Sequence, residues 1–370
     1  MSDVPEDDAP DDSPDNAPDD NPVAESAGSD AADAERSAAA ELDEALREQF
    51  TWYAVAKKEF KDTVRSRGLW VLSAVFTVFF LLPAAGVLYG FIDLRQYQSL
   101  GMEVLISGLY LDLVTFLLPL VAIYVGFAAI SDERTRGSLK LLLSLPFSRR
   151  DVVVGKVVGR CAVVGVTLAV AFTLTAVFLV MSRIPFKGVT YGLFALYTGA
   201  FTVVMVAIAV SVSGAVRTNR QSVLANFFVY FYFTFAWNSL ANSLGQILKN
   251  QVGVGGSGRW HTVLFVKLLN PSQAYKTLTN SMLGTGENAV RQARYGLFQQ
   301  SPEQMATICT DLLRGNATVR QTMFGNRTVC QPQSAGVPAY FSDPAVLLYA
   351  LLWIVLAATV SYYTFNRGDL

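Results

Sequence analysis

The chain has 370 residues, of which 52% are hydrophobic and only 16% are charged. Soluble globular domains average about 25% charged residues, so this composition excludes an ordinary soluble domain and favours a membrane protein. The net charge of −1 averages two unlike parts, because residues 1–48 hold 17 of the 30 acidic residues and only two of the 29 basic ones.

Residues 1–48 are rich in Asp, Ala, Pro and Ser and have almost no large apolar side chain. Such a segment cannot bury enough apolar surface to offset the entropy of ordering, so we expect a disordered, acidic cytoplasmic tail. It lacks the basic start and the apolar stretch of a secretory signal peptide. The tail is either a solvating extension or a regulatory arm that binds a partner.

Residues 50–67 predict an amphipathic interfacial helix ahead of the first apolar run. Large apolar residues recur there at helical spacing, and lysines occupy the rest of the helical wheel. Trp52, Tyr53 and Phe60 suit the headgroup level of a lipid bilayer, and the lysines suit anionic lipid. The alternative is an ordinary cytosolic lead-in to a membrane helix.

Six long apolar runs predict an all-α polytopic membrane protein, with a six-helix domain over residues 69–370. Each run can cross a hydrocarbon core about 30 Å thick, because a helix rises about 1.5 Å per residue. The predicted spans are 69–91, 110–130, 159–182, 189–213, 222–244 and 344–366. With both termini in the cytoplasm, the inner segments carry 15 Lys and Arg residues and the short outer loops carry three, which satisfies the positive-inside bias.

The loop between the second and third predicted spans combines basic residues with a leucine-rich core, residues 139–145. Gly137 and Pro146 bracket this core, and both residue types interrupt helices. Leu139 and Leu142 would offer an apolar face to the groove of a partner protein, with Arg149 at its rim. The same leucines would also suit a helix that lies on the bilayer surface.

Residues 249–343, between the fifth and sixth spans, form a predicted extracytoplasmic insertion. It is too long to lack structure of its own, and it contains two apolar stretches that predict short helices at 260–269 and 274–283. The two helices are either a hairpin that caps a pathway or a lid without a role in transport.

Two further features of the insertion agree with an outer location. Asn316 and Asn326 each begin a glycosylation sequon. Cys309 and Cys330 both lie in this insertion, and an oxidising compartment would allow them to form a disulfide. Two free thiols are the alternative.

The sequence predicts no catalytic residues and no metal site, because it has one histidine, His261, and few methionines. Gly155-Lys156 is followed by Val157 and lacks the upstream glycine of a phosphate-binding loop. No acidic residue lies in the middle of a predicted span, which argues against a proton-coupled pump. Gly155 and Gly159 have the small-xxx-small spacing that permits close approach of another helix. Nothing indicates a nucleic-acid partner.

The stretch from Glu133 to Lys156 contains Gly137-Ser138-Leu139, Leu141-Leu142, Pro146, Ser148-Arg149 and Gly155-Lys156. It resembles the signature of type-2 ABC transporter permeases. The later stretch LLNPSQAYKTL, Leu268 to Leu278, is similar to an outer Asn-Pro-x-x-Ala-Tyr stretch in the subgroup that includes the permease of the nitrous-oxide-reductase maturation system. The resemblance covers residues 50–370.

The resemblance implies a non-catalytic permease subunit of an ATP-driven exporter in the plasma membrane. In that family two permease copies pair, and each docks a separate subunit that binds ATP and Mg²⁺, so no cofactor is implied on this chain. The loop between spans two and three is the coupling element there. By resemblance the contact would involve Glu133, Arg134, Arg136, Gly137, Pro146, Ser148 and Arg149, beside the leucine face.

Two other functions remain open at this point. A membrane-anchored scaffold or sensor would use the outer insertion as a binding module and the acidic tail as its effector. A secondary transporter is disfavoured, because intramembrane charge and an evident inverted repeat are missing from the sequence.

Overall fold

The computed structural model describes residues 37–89 apart from 39 and 42, together with 105–136, 148–182, 186–253, 257–283, 306, 309–310, 315–322, 325–332 and 339–367. The chain divides into two units, residues 1–50 and residues 51–370. In the first unit, residues 37–49 are helical wherever they are described. Strong helix formers and the pair Asp43–Arg47, 3.1 Å apart, favour this helix where disorder was expected. The rest of the predicted tail lies outside the described residues.

In the described part of the second unit, the chain forms helices α1 Thr51–Val64, α2 Arg67–Leu88, α3 Leu111–Gly126, α4 Ser131–Arg136, α5 Arg149–Met181, α6 Gly188–Ala215, α7 Asn219–Phe231, α8 Trp237–Gln251, α9 Ser257–Leu268, α10 Pro271–Met282 and α11 Asp343–Arg367. A π-helical turn, Ile106–Tyr110, leads into α3, and a second one, Tyr232–Ala236, joins α7 to α8. A 3-10 turn, Ala339–Phe341, lies just before α11.

Five of these helical stretches are long and apolar enough to cross a membrane: Leu111–Thr135, Arg150–Met181, Gly188–Ala215, Asn219–Gln251 and Asp343–Thr364. They coincide with the second to sixth predicted spans. The first predicted span corresponds to α2, whose apolar stretch within the described residues is the shorter Trp70–Gly86. The count of six spans and the cytoplasmic location of both termini therefore stay predictions.

An aromatic cluster fills the centre of the bundle between α2, α5, α6 and the first π-helical turn. The ring centre of Phe80 lies 5.5 Å from that of Tyr110 and 4.7 Å from that of Phe172. The ring centres of Phe172 and Phe194 are 5.5 Å apart. Each such pair contributes about 0.5–1.5 kcal/mol beyond burial. The hydroxyl of Tyr110 donates to the carbonyl oxygen of Phe80 at 2.8 Å, so the buried phenol has an acceptor.

The predicted outer insertion contains a β-hairpin in addition to helices α9 and α10. β1, Gly315–Thr322, pairs antiparallel with β2, Gly325–Pro332. The expectation of an all-α protein is therefore wrong for this segment, although the rest of the described chain is helical. Threonine and valine recur along both strands, and β-branched residues are favoured in strands, which explains the difference.

Candidate coupling site

The structure describes both ends of the predicted coupling loop but not its centre. Glu133, Arg134 and Arg136 lie on α4, and Ser148 and Arg149 lie at the start of α5. The predicted contact residues Gly137, Leu139, Leu142 and Pro146 lie outside the described residues. The structure thus shows how the loop is anchored at its two ends, and the contact itself stays a prediction.

Ser148 fixes the residue at which α5 begins. Its hydroxyl oxygen accepts a hydrogen bond from the backbone N–H of Asp151 at 3.2 Å, and its own backbone N–H donates to the Asp151 carboxylate at 3.0 Å. This reciprocal capping box contributes about 1 kcal/mol to the helix start. The third predicted span therefore belongs to a helix that begins at Arg149 rather than at residue 159. Arg149 lies in its first turn, not in a loop.

An ion cluster joins α4 and α5 to the helix that precedes the bundle, and it consists of buried Lys156 with half-buried Glu59, Glu133 and Arg160. The Lys156 ammonium lies 2.7 Å from a carboxylate oxygen of Glu59 on α1 and 2.8 Å from one of Glu133 on α4. Arg160 lies 2.9 Å from the other oxygen of Glu59. The side chain of Lys156 is only 1% exposed. One lysine therefore links three helices, including the one that leads into the coupling loop.

The two cations keep Glu59 ionised. Burial by itself would raise the pKa of this carboxyl, but the attraction of Lys156 and Arg160 and the hydrogen bond from Lys156 bring its pKa below the usual value. A buried ammonium such as that of Lys156 is strongly destabilising when its partners are removed, because an uncompensated charge is then left in the interior. The cluster is therefore sensitive to the loss of any member.

Two glycines bring α1 into backbone contact with α5. A Cβ atom at Gly155 would lie 2.7 Å from the carbonyl oxygen of Trp52, and one at Gly159 would lie 2.8 Å from the Cβ of Glu59. The structure thus shows the close helix approach that the glycine spacing permits. Val55 and Ala56 are buried in this contact. Half-buried Trp52, Tyr53 and Phe60 lie on the same helix, and their location in lipid headgroups stays a prediction.

Hydrogen bonds tie the start of α4 to the end of α6 and the start of α7. The backbone N–H groups of Ile130 and Ser131 both donate to the hydroxyl oxygen of Ser213 at 3.2 Å. The Ser131 hydroxyl donates to the side-chain oxygen of Asn219 at 2.6 Å, and the Asn219 amide donates to Asp132 at 2.9 Å. Sequence reasoning missed Ser213 and Asn219, because their partners lie more than eighty residues away.

Arg134 and Arg150 join the two flanks of the coupling loop to other helices of the bundle. The guanidinium of Arg134, predicted to contact a partner, donates to the carbonyl oxygen of Val216 at 3.0 Å in the α6–α7 connection. Arg150 donates to the Tyr362 hydroxyl at 3.3 Å and lies 4.7 Å above that ring, which ties the start of α5 to α11. Both flanks of the coupling loop are thus joined to the helices of the bundle.

The Asn-Pro stretch of the predicted outer insertion has a clear structural role. The Asn270 side chain caps α10 by accepting from the backbone N–H of Ser272 at 2.9 Å, and its amide donates to the carbonyl oxygen of Phe233 at 2.7 Å. Tyr275 stacks on Phe201 with ring centres 4.7 Å apart. Pro271 occupies the first helical turn, where its missing N–H costs nothing. The motif therefore fastens α10 onto α6 and the second π-helical turn.

The predicted disulfide and glycosylation residues lie in the predicted outer insertion, and three of the four lie on the hairpin strands. Cys309 is buried and takes part in a disulfide. Cys330 lies on β2 opposite Ala317, but its side chain is outside the described part, so the pairing stays a prediction. Asn316 is exposed on β1, and Asn326 lies on β2. Cys161 is a free cysteine on α5.

Comparisons with known proteins indicate the family to which this sequence is similar. The family model described as ABC-2 family transporter protein matches residues 53–370. The chain is similar to a probable ABC transporter permease protein NosY of Stutzerimonas stutzeri, with 25% identity over 69% of this chain and 90% of that protein. It is also similar to a probable ABC transporter permease protein NosY of Pseudomonas aeruginosa, with 28% identity over 36% of this chain and 46% of that protein.

Proposed function

Because the chain belongs to the ABC-2 family of transporter proteins, it is a multi-pass membrane subunit of an ABC transporter in the plasma membrane, and we propose that it is the permease of an ATP-driven exporter. ATP and Mg²⁺ bind to a separate ATP-binding subunit, and two copies of this chain pair to form the pathway. No cofactor is needed on this chain. Each copy docks an ATP-binding subunit through the loop between α4 and α5.

The single observation that carries the proposal is the ion cluster around buried Lys156, with its link to the coupling loop. Lys156 joins α5 to Glu133, four residues before Gly137, and to Glu59 on α1. Interiors are close-packed and deform little, so a force on residues 137–147 would move α1, α4 and α5 together. This is the behaviour required of an element that converts movement of an ATP-binding subunit into repacking of membrane helices.

The hydrogen bonds of α4 would transmit a displacement of the coupling loop to a second set of helices. Ser131 and Arg134 hold the α6–α7 connection, so the same displacement reaches two further spans. Alternating access then becomes a shift of rigid elements between an inward-facing and an outward-facing packing, driven by the partner's ATP cycle. The chain itself carries out no chemical step.

The proposal is tested by isolating the tagged chain from its native membranes and assaying ATP hydrolysis in the eluate. We expect a subunit with nucleotide-binding motifs to co-purify, with vanadate-sensitive ATPase activity. The double variant Gly137→Pro and Arg149→Glu should lose most of this subunit. Lys249→Glu, an exposed charge reversal at the end of α8, should keep it. Retention of the ATPase by the double variant, or isolation of a folded chain without any ATPase, would contradict the proposal.

A further inference from the structure

An apolar groove of about 880 Å³ runs along α6, α7 and α11. It extends from the α6–α7 connection to the second π-helical turn, and its lining includes Val216, Leu224, Phe228, Phe233, Trp353 and Val360. All three helices belong to candidate membrane spans, so the groove opens at the depth of the hydrocarbon. Its occupant must therefore be compatible with a bilayer interior.

The polar groups in the groove wall are already satisfied within the chain. The hydroxyl of Ser211 donates to the carbonyl oxygen of Ala357 at 2.7 Å, and the indole N–H of Trp353 donates to the carbonyl oxygen of Leu269 at 2.6 Å. The wall thus offers an occupant no free polar partner. An extended hydrocarbon chain fits this surface, because a polar ligand would lose its own hydrogen bonds there.

The predicted cytoplasmic end of the groove is basic. Arg220 lies one helical turn before Leu224 on the same face of α7, and Arg217 directly follows Val216. Both arginines are exposed. Among the described residues, neither forms an ion pair with a carboxylate. Two exposed guanidinium groups, without an ion-pair partner in the described part of the chain, at this end of an apolar groove complement an anionic headgroup above an acyl chain.

The length of the groove is close to the thickness of one leaflet of a bilayer. From Arg220 to Phe233 the helix rises about 20 Å. Half of a hydrocarbon core is about 15 Å deep, so a chain that begins at the arginines would end near Phe233 and Trp353. We propose that this groove binds an acyl chain of an anionic phospholipid whose phosphate lies against Arg217 and Arg220. This inference does not depend on the proposed function.

Quenching of tryptophan fluorescence tests the proposal directly, because Trp353 lines the groove. The full chain is reconstituted in vesicles of phosphatidylcholine that contain brominated phosphatidylglycerol or, separately, brominated phosphatidylcholine. The signal of Trp353 is isolated by subtracting that of Trp353→Phe. We expect brominated phosphatidylglycerol to quench it at roughly tenfold lower lipid fraction than brominated phosphatidylcholine.

Matched variants separate recognition of the headgroup from general attraction to anionic lipid. Arg217→Gln combined with Arg220→Gln should abolish the preference for phosphatidylglycerol. Arg65→Gln, an exposed arginine that precedes α2, should keep it. Val360→Phe should reduce quenching by both lipids, because the added ring fills the groove.

Three outcomes would overturn the proposal. Equal quenching by the two lipids in the unsubstituted chain would show that the headgroup is not recognised. An equal loss of preference in Arg65→Gln would show that only the overall charge matters. Absence of quenching by either lipid would show that protein, such as a second copy of the chain, covers the groove.

Discussion

The ammonium of Lys156 bridges two carboxylates in a nearly fully buried position, with Arg160 neutralising the second oxygen of Glu59. The ion-pair partners stabilise the charged form of such a group, since a low-dielectric interior disfavours an isolated charge. Glu59 and Glu133 belong to different helices, so the ion pairs of the cluster contribute to the energy that keeps α1 and α4 on α5.

We predict that Lys156→Met lowers the free energy of unfolding by about 3 kcal/mol, because Glu133 and Glu59 lose their shared cation in a buried site. Thermal unfolding of the purified chain in detergent measures the effect. Lys61→Met, an exposed lysine on α1, is the matched control and should change the stability by less than about 0.5 kcal/mol. An Lys156→Met variant as stable as the control would show that the cluster does not hold these helices.

The same cluster predicts a dependence of stability on pH. The pKa of Glu59 is lower in the folded chain than its ordinary value of 4.5, so the folded state binds fewer protons than the unfolded state in this range. The stabilisation is complete above pH 4.5 and is lost as the pH falls through the lower, folded pKa. Melting temperatures measured from pH 7 to pH 3.5 should therefore fall less steeply in Glu59→Gln than in the original chain.

Asp62→Asn controls for the general effect of removing a carboxylate from α1, because this side chain is exposed. It should leave the acid-dependent loss of stability close to that of the original chain. If Glu59→Gln and Asp62→Asn have the same pH profile, the lowered pKa of Glu59 makes no contribution to folding.

At the scale of elements, the contact between α1 and α5 depends on the absence of side chains at Gly155 and Gly159. Their nearest neighbours are mostly backbone atoms and Cβ atoms of α1, which cannot rotate away as the end of a flexible side chain can. A methyl group at either position therefore requires the whole α1 helix to move. Helix α1 is fastened to α5 by shape as well as by charge.

We predict that Gly155→Ala destabilises the chain by about 1–3 kcal/mol through overpacking. Gly165→Ala, on the same helix, is the control, since nothing lies within 4 Å of a Cβ atom there. The control should be neutral or stabilising, because alanine is favoured over glycine inside a helix by about 1 kcal/mol. Unfolding of both variants under identical conditions measures the difference. Equal stability of the two variants would contradict a close contact between α1 and α5.

At the scale of the whole molecule, long uncharged runs made the membrane spans predictable, because crossing a bilayer imposes length and apolarity on the sequence itself. The start of α5 at Arg149 was missed, although Ser148 and Asp151 have the spacing of a capping box. The β-hairpin carried a weaker signal in its recurring threonine and valine residues. The link from Lys156 to Glu59 was not predictable, because 97 residues separate them and no local pattern joins them.

The proposed coupling function rests on how these scales combine. The residue-level cluster fixes α1 and α4 to α5, the glycines permit that contact, and the hydrogen bonds of Ser131 and Arg134 carry the connection to α6 and α7. Because these contacts hold both ends of the coupling loop, the loop is suited to transmit a force from another subunit to the helices. Its leucine face, Leu139 and Leu142, is the predicted point of contact.

Photo-crosslinking from the coupling loop tests this account most directly. A photoreactive amino acid replaces Leu142 in the full-length chain, and the same amino acid replaces exposed Leu348 on α11 as a control. After irradiation of native membranes, we predict a covalent product between position 142 and an ATPase subunit, identified by mass spectrometry, and none from position 348. Crosslinking of position 142 to lipid alone, with the ATPase present in the same membranes, would contradict the account.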